Sequence, residues 1–142
     1  MTGMKLKIKF LVLVISICAW SACRYGPTVK SFPSAQTANG VVADVATTPG
    51  AKHVKAELIE VRDAELLILA DGKLQLLPYT SIESLDFHGK KGKLDIGKRR
   101  VPSSGSRDYL RLVSRFPQGL TPDLLQKLLN ANGQTELALE SP

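Results

Sequence analysis

Four apolar-rich segments of strand length, each closed by a turn signal, leave the stretch from His53 to His88 little choice of fold. HVKAELIEVR, ELLILAD, KLQLLPY and SIESLDFH are separated by Asp63 with Ala64, by Asp71 with Gly72, and by a corner running from Pro78 to Ser81. Asp71 and Gly72 tolerate the positive φ of a tight hairpin, so the segments on either side, 66 to 70 and 73 to 77, are expected to pair antiparallel. The expectation is a β-meander. Alternation is clean at Leu74 and Leu76, and again through Glu83, Leu85 and Phe87, which gives those strands one apolar face. The run from Leu66 to Leu69 is apolar on both faces, the mark of a central strand covered on each side, so a second layer is required.

That layer is expected downstream. Tyr109, Leu112, Val113 and Phe116 recur at helical spacing and predict a short amphipathic helix over about 106–115, stopped by Pro117 and Gly119. Thr121 before Pro122 reads as an N-cap before a first-turn proline, and Asp123 suits the positive end of the helix dipole. The helix it opens should turn Leu124, Leu125, Leu128 and Leu129 inward and end at Asn132 and Gly133. Thr135 to Leu139 alternates enough for one last strand at an edge. The fold class is therefore α+β: a small antiparallel β-meander or partial barrel covered by two short C-terminal helices, occupying 53–142. Four short strands with a Pro78-x-x-x-Ile82 corner resemble the small barrels of the Sm and SH3 type, and the order of elements is similar to that of uncharacterised bacterial envelope lipoproteins. Sm-type barrels put their helix first and carry RNA-contacting motifs that this chain lacks. The resemblance supplies an architecture and no activity.

The first two dozen residues decide the chain's address. Lys5, Lys7 and Lys9 precede a run from Phe10 to Ala19 that is apolar except at Ser16, a charged region followed by a hydrophobic one, as in an export signal. The run is about half the 20 residues a bilayer-spanning helix needs. Ser21, Ala22 and Cys23 then resemble the lipobox of bacterial lipoproteins, while Trp20 stands where that family usually carries leucine or another aliphatic. The resemblance implies cleavage after residue 22, acylation of Cys23 and attachment to a membrane; the alternative is an ordinary cut after Ser21. Cysteine arithmetic favours the lipobox. Of the two cysteines, Cys18 would leave with the leader, and Cys23 would then be an unpaired thiol unless acylation consumed it. Two or more acyl chains give stable attachment where one gives marginal binding. Arg24, in place of an aspartate after the cysteine, implies the outer membrane under the sorting rule that goes with the resemblance, with the body facing the periplasm.

Residues 24 to 52 are rich in Ser, Thr, Ala, Gly and Pro and read as a linker behind the lipidated N-terminus; Val41, Val42 and Val45 are their one candidate for a strand docked on the body. The formal charge of +6 falls to about +3 once Lys5, Lys7 and Lys9 leave with the leader, an ordinary balance. The remaining cations are concentrated: Lys90, Lys91, Lys93, Lys98, Arg99 and Arg100 crowd the stretch 88–100, which reads as an exposed hairpin or loop. It is the best candidate contact surface for anionic headgroups or an acidic envelope partner. Nucleic acid is not expected, because no aromatic residues interleave the lysines.

No reaction is legible. His53 and His88 are the only histidines and stand in no ligand spacing, so no metal or cofactor is expected. Asp86 and His88 are two apart and would share a strand face, which reads as a solvated strand end. No G-x-S-x-G or S-x-x-K surrounds a serine, and Ser103, Ser104 and Ser106 lie where a loop should lead into a helix. The glycines of GKKGK lack the strand-to-helix turn of a phosphate cradle. Glu57, Glu60 and Glu65 are spaced as solvent-facing strand charges. The expectation is a membrane-tethered, non-catalytic interaction or structural module. The alternative is an exported domain that binds a small ligand or carbohydrate in a groove.

Overall fold

The computed structural model describes residues 32, 34–48, 52–89, 93–96 and 101–139. They build seven strands, β1 (Val42–Thr47), β2 (Lys52–Val61), β3 (Glu65–Ala70), β4 (Lys73–Pro78), β5 (Ile82–Phe87), β6 (Lys93–Asp95) and β7 (Ala138–Leu139), and two helices, α1 (Ser104–Val113) and α2 (Pro122–Ala131). The sheet runs β6-β5-β1-β2-β3-β4-β7, antiparallel at every pairing except β4 with β7. The meander from β2 to β5 is as the segments predict. Asp71 and Gly72 take φ of 51° and 73°, the two successive positive values of a type I′ hairpin, and Ala70 sits opposite Lys73. The corner is a 3-10 turn, Tyr79–Ser81, held between Pro78 and Ile82.

Both faces of the sheet are buried, as the double-sided apolar run of β3 demands. Leu66, Ile68 and Ala70 join Val45, Leu58, Leu85 and Phe87 on one face, and Leu110 of α1 closes that cluster. Leu67 joins Ile59, Leu74, Leu76, Phe116, Leu128 and Leu129 on the other, under α2. Each fully buried leucine contributes about 1.5–3 kcal/mol, so a single strand anchors two cores. Helix α2 keeps its expected ends: Thr121 Oγ1 accepts from the Leu124 amide at 3.3 Å, and Pro122 opens the first turn. At the far end Gly133 has φ 69°, Gln134 N donates to Leu129 O (2.9 Å) and Gly133 N to Asn130 O (3.1 Å), the paired bonds of a Schellman stop. Gln134 then covers the bare edge of β4. Its amide accepts from Leu74 N (2.5 Å) and donates to Leu74 O (3.1 Å), imitating a strand until β7 takes over opposite Gln75 and Leu76.

Four expectations need correction. The stretch read as linker is partly inside the fold, because Phe32 and Ala35 are buried and β1 is the strand between β2 and β5. Ala43 and Val45 fill the inner cluster, and the alanines and threonine that weaken β1 as a sequence signal matter little once both its edges are paired. The described body therefore begins well before residue 53. Helix α1 starts and stops two residues earlier than expected: Ser103 Oγ accepts from Ser106 N at 3.3 Å to open it, and Ser114 turns extended to close it. The packed face also differs from the one expected. Leu110 is the buried residue, Val113 packs partly, Phe116 is buried beyond the helix end, and Leu112 is 76 % exposed. The basic stretch does form a hairpin, with Lys93–Asp95 as strand β6 on β5, but it is not exposed throughout, because Ile96 is buried in the inner cluster. The glutamates are the fourth correction, taken up with the site.

Tyr79 locks the corner to the β2–β3 turn. Its amide donates to Ala64 O (3.1 Å) and its hydroxyl to Arg62 O (2.9 Å). Burial pushes the phenol up to about 12, against the pull of Arg107 and Arg111. The native value lies above that of the unfolded chain, so this contribution to stability is complete below about pH 10 and is lost as pH rises toward 12. An ultraviolet titration should show one tyrosine ionising about two units later than an exposed phenol. Tyr79→Phe should remove that late step and flatten the fall in stability across the same window.

Candidate functional site

The densest polar constellation is a junction where three parts of the chain meet on β2. It starts from a bulge. Leu58 lies opposite Ile68 and Glu60 opposite Leu67, which leaves Ile59 as the extra residue. Strict alternation from Ala56 and Leu58 would have turned Glu60 into the inner cluster. The bulge instead brings Val61 inward and leaves Ile59 on the α2 side. It also frees two successive carbonyls, which the chain leaving α1 takes up: Arg115 N donates to Leu58 O (3.1 Å) and Phe116 N to Ile59 O (3.0 Å).

The N-terminal segment closes over the same point. Gln36 N donates to Arg115 O (3.3 Å), Val41 N to Val113 O (2.9 Å), and Leu58 N to Val41 O (2.9 Å). Phe32 meets Phe116 edge to face, ring centroids 6.1 Å apart. Gly40 passes so near Leu58 O that a β-carbon there would stand 1.9 Å from it. Glycine is required by space at this position.

An ion pair fastens the junction. Arg115, 2 % exposed, forks onto Glu57, with Nε to Oε1 at 2.9 Å and Nη2 to Oε2 at 2.8 Å. Gly40 N donates to Glu57 Oε1 (2.6 Å), and Arg115 Nη2 also reaches Asn39 Oδ1 (3.2 Å). Burial raises the Glu57 carboxyl above its usual range, and Arg115 and the Gly40 amide pull against that rise without cancelling it. Arg115 Nη1 is buried and has no hydrogen-bond partner. A carboxylate that already accepts from two guanidinium nitrogens and a backbone amide is poorly placed to act as a base. The arrangement is a clasp. A neighbouring one holds the next loop: Glu60, 7 % exposed, accepts from Leu120 N (2.8 Å) and from Arg62 Nε (2.9 Å), and Arg62 continues to Glu65 (3.3 Å).

Glu60 is thus buried and Glu57 half-buried, and both are paired where solvent-facing charges were expected. Their cover comes from residues 32–40 and 114–120, whose docking no local pattern announces. The faint signal was Arg115, set directly before Phe116 at a helix end. Of the six candidate contact cations, Lys93 is exposed on β6 opposite Asp86, and Lys90, Lys91, Lys98, Arg99 and Arg100 lie outside the described residues, as does Cys23. His88 does not pair with Asp86; its Nε2 meets Asp44 Oδ2 at 2.7 Å across the sheet, both side chains more than two-fifths exposed. His53 is on β2 opposite Ala46. Among the described residues, no three of His, Cys, Asp and Glu gather as a metal-ligand set, and no helix is long and apolar enough to cross a membrane.

No protein-family model matches the chain, and neither do any curated proteins or solved structures.

Proposed function

We propose that the chain is a membrane-tethered bacterial envelope lipoprotein whose α+β body is a non-catalytic interaction or structural module. The observation that carries this reading is the order of its N-terminal chemistry: three lysines, an apolar run from Phe10 to Ala19, then Ser21, Ala22 and Cys23. Acylated Cys23 holds the protein at the bilayer, and the six cations between Lys90 and Arg100 are the surface it offers to an acidic envelope partner. On the inner face of the sheet, among the described residues, close packing supports an interaction module at that point. The space among Ala43, Ala56, Leu66 and Phe87 is about 10 Å³, room for at most one water and far too small for a sugar.

The test is a single substitution with two readouts. The parent protein should sediment with membranes, and its intact mass should show loss of 22 residues and gain of a diacylglyceryl group, with a further acyl chain on the new amino group. Cys23→Ser should move essentially all of the protein to the aqueous fraction. Sedimentation of Cys23→Ser with lipid, as before, would overturn the proposal.

A further inference from the structure

Two of the three asparagines in the chain stand directly before glycine, Asn39 before Gly40 and Asn132 before Gly133. That dipeptide carries a reaction of its own. Glycine has no β-carbon to block the approach, so its amide nitrogen, once its proton has gone to hydroxide, attacks Cγ of the asparagine. The Cγ–Nδ2 bond breaks, ammonia leaves with a proton from water, and a succinimide ring remains. Water then opens the ring at either carbonyl, giving aspartate or isoaspartate. The reaction needs the side-chain amide free to turn onto the glycine nitrogen, and that nitrogen free to give its proton to solvent.

At Asn39 the junction withholds both freedoms. Gly40 N, the nucleophile, donates to Glu57 Oε1 (2.6 Å), and Asn39 Oδ1, on the carbon to be attacked, accepts from Arg115 Nη2 (3.2 Å). The peptide between the two residues is also pinned from its other side, since Asn39 O accepts from Thr37 Oγ1 (2.6 Å). Yet Asn39 is exposed, and the segment from Phe32 to Gly40 belongs to no strand. It is held by the ring of Phe32, by the amides of Gln36 and Val41 and by the clasp itself. Local opening of such a segment costs less than unfolding the whole domain.

We propose that Asn39–Gly40 is a spontaneous deamidation site kept closed by the Glu57–Arg115 clasp, so that opening of the N-terminal segment exposes it and the isoaspartate product cannot redock. The asymmetry lies in the two products. Aspartate keeps the length of the backbone and still faces Arg115 Nη2, so it returns to its place. Isoaspartate routes the chain through the side chain and adds one backbone carbon immediately before Gly40. No slack exists there. A β-carbon at Gly40 would already stand 1.9 Å from Leu58 O and 3.0 Å from Arg115 N, and Val41 must reach Val113 O with its amide and Leu58 N with its carbonyl.

The test follows both asparagines in the purified full chain by peptide mass mapping, during incubation in mildly alkaline buffer with and without urea. Native Asn39 should lose ammonia at least about tenfold more slowly than the same residue in urea. Glu57→Leu together with Arg115→Met removes both holders while putting apolar groups in place of the ion pair. That variant should speed Asn39 several-fold and leave Asn132 unchanged, because Asn132 has holders of its own: its Nδ2 donates to Leu128 O (2.7 Å) and Gly133 N to Asn130 O (3.1 Å). A native rate at Asn39 equal to that in urea, or no change in the double variant, overturns the site. Acceleration at both asparagines reports general unfolding and overturns the assignment to the clasp. Isoaspartate-bearing protein, separated by chromatography, should have lost the hydrogen-exchange protection of the Val41 amide, and retained protection overturns the one-way release.

Discussion

Arg115→Met should lower the unfolding free energy by about 3 kcal/mol or somewhat more, because it leaves the half-buried Glu57 carboxylate without its counter-charge. For a small domain holding roughly 5–15 kcal/mol in all, that loss moves the urea midpoint far down and leaves part of the population unfolded. Far-UV circular dichroism against urea is the measurement. Adding Glu57→Leu should restore much of the loss, since two apolar groups of similar volume carry no desolvation penalty. The pH dependence gives a second check. Glu57 is already raised by burial, so the native state holds its proton more tightly than the unfolded chain does, and the carboxyl costs stability as pH rises through that raised value. Removing Arg115 removes the strongest pull in the other direction. The deficit of Arg115→Met should therefore be largest well above the glutamate range and shrink as the carboxyl is protonated.

Gly40→Ala should cost nearly as much, about 3 kcal/mol, the upper end of what overpacking usually takes. The added carbon would stand 1.9 Å from Leu58 O and 3.0 Å from Arg115 N, and both are backbone atoms already bonded to each other. Neither can retreat without opening the bulge. Urea titration of Gly40→Ala beside Gly105→Ala separates space from propensity. Nothing lies within 4 Å of a β-carbon built at Gly105, on α1, so that change should be neutral or mildly stabilising.

The parts of the fold that could be read in advance are those specified by neighbours in sequence. The β3–β4 hairpin follows from Asp71 and Gly72 between alternating leucines, and α2 from Thr121, Pro122 and Asp123 at one end with Asn132 and Gly133 at the other. What could not be read depends on partners far along the chain. β1 is stabilised by pairing with β2 and β5 more than by its own composition, so within a Pro- and Thr-rich stretch read as linker only Val41, Val42 and Val45 hinted at the docked strand that the sheet contains. The burial of Glu60 and the partial burial of Glu57 depend on a bulge and on two docking segments at once. Leu112 fits the spacing of Tyr109 to Phe116, but Leu110 and Val113 form the face that packs, and Phe116 lies past the helix end. The clasp around Arg115 falls in the same class, since Arg115 and Glu57 stand 58 positions apart.

Because β1 follows so closely on the N-terminal segment and lies in the sheet's interior, the fold has a mechanical side. Antiparallel hydrogen bonds run perpendicular to their strands, so tension arriving through Phe32 would load both ladders of β1 together, in shear. A body hung by that end resists being drawn out as a zip fastener resists a pull across its teeth. The Phe32–Phe116 contact and the amide bonds of Gln36 and Val41 would yield before those ladders were loaded.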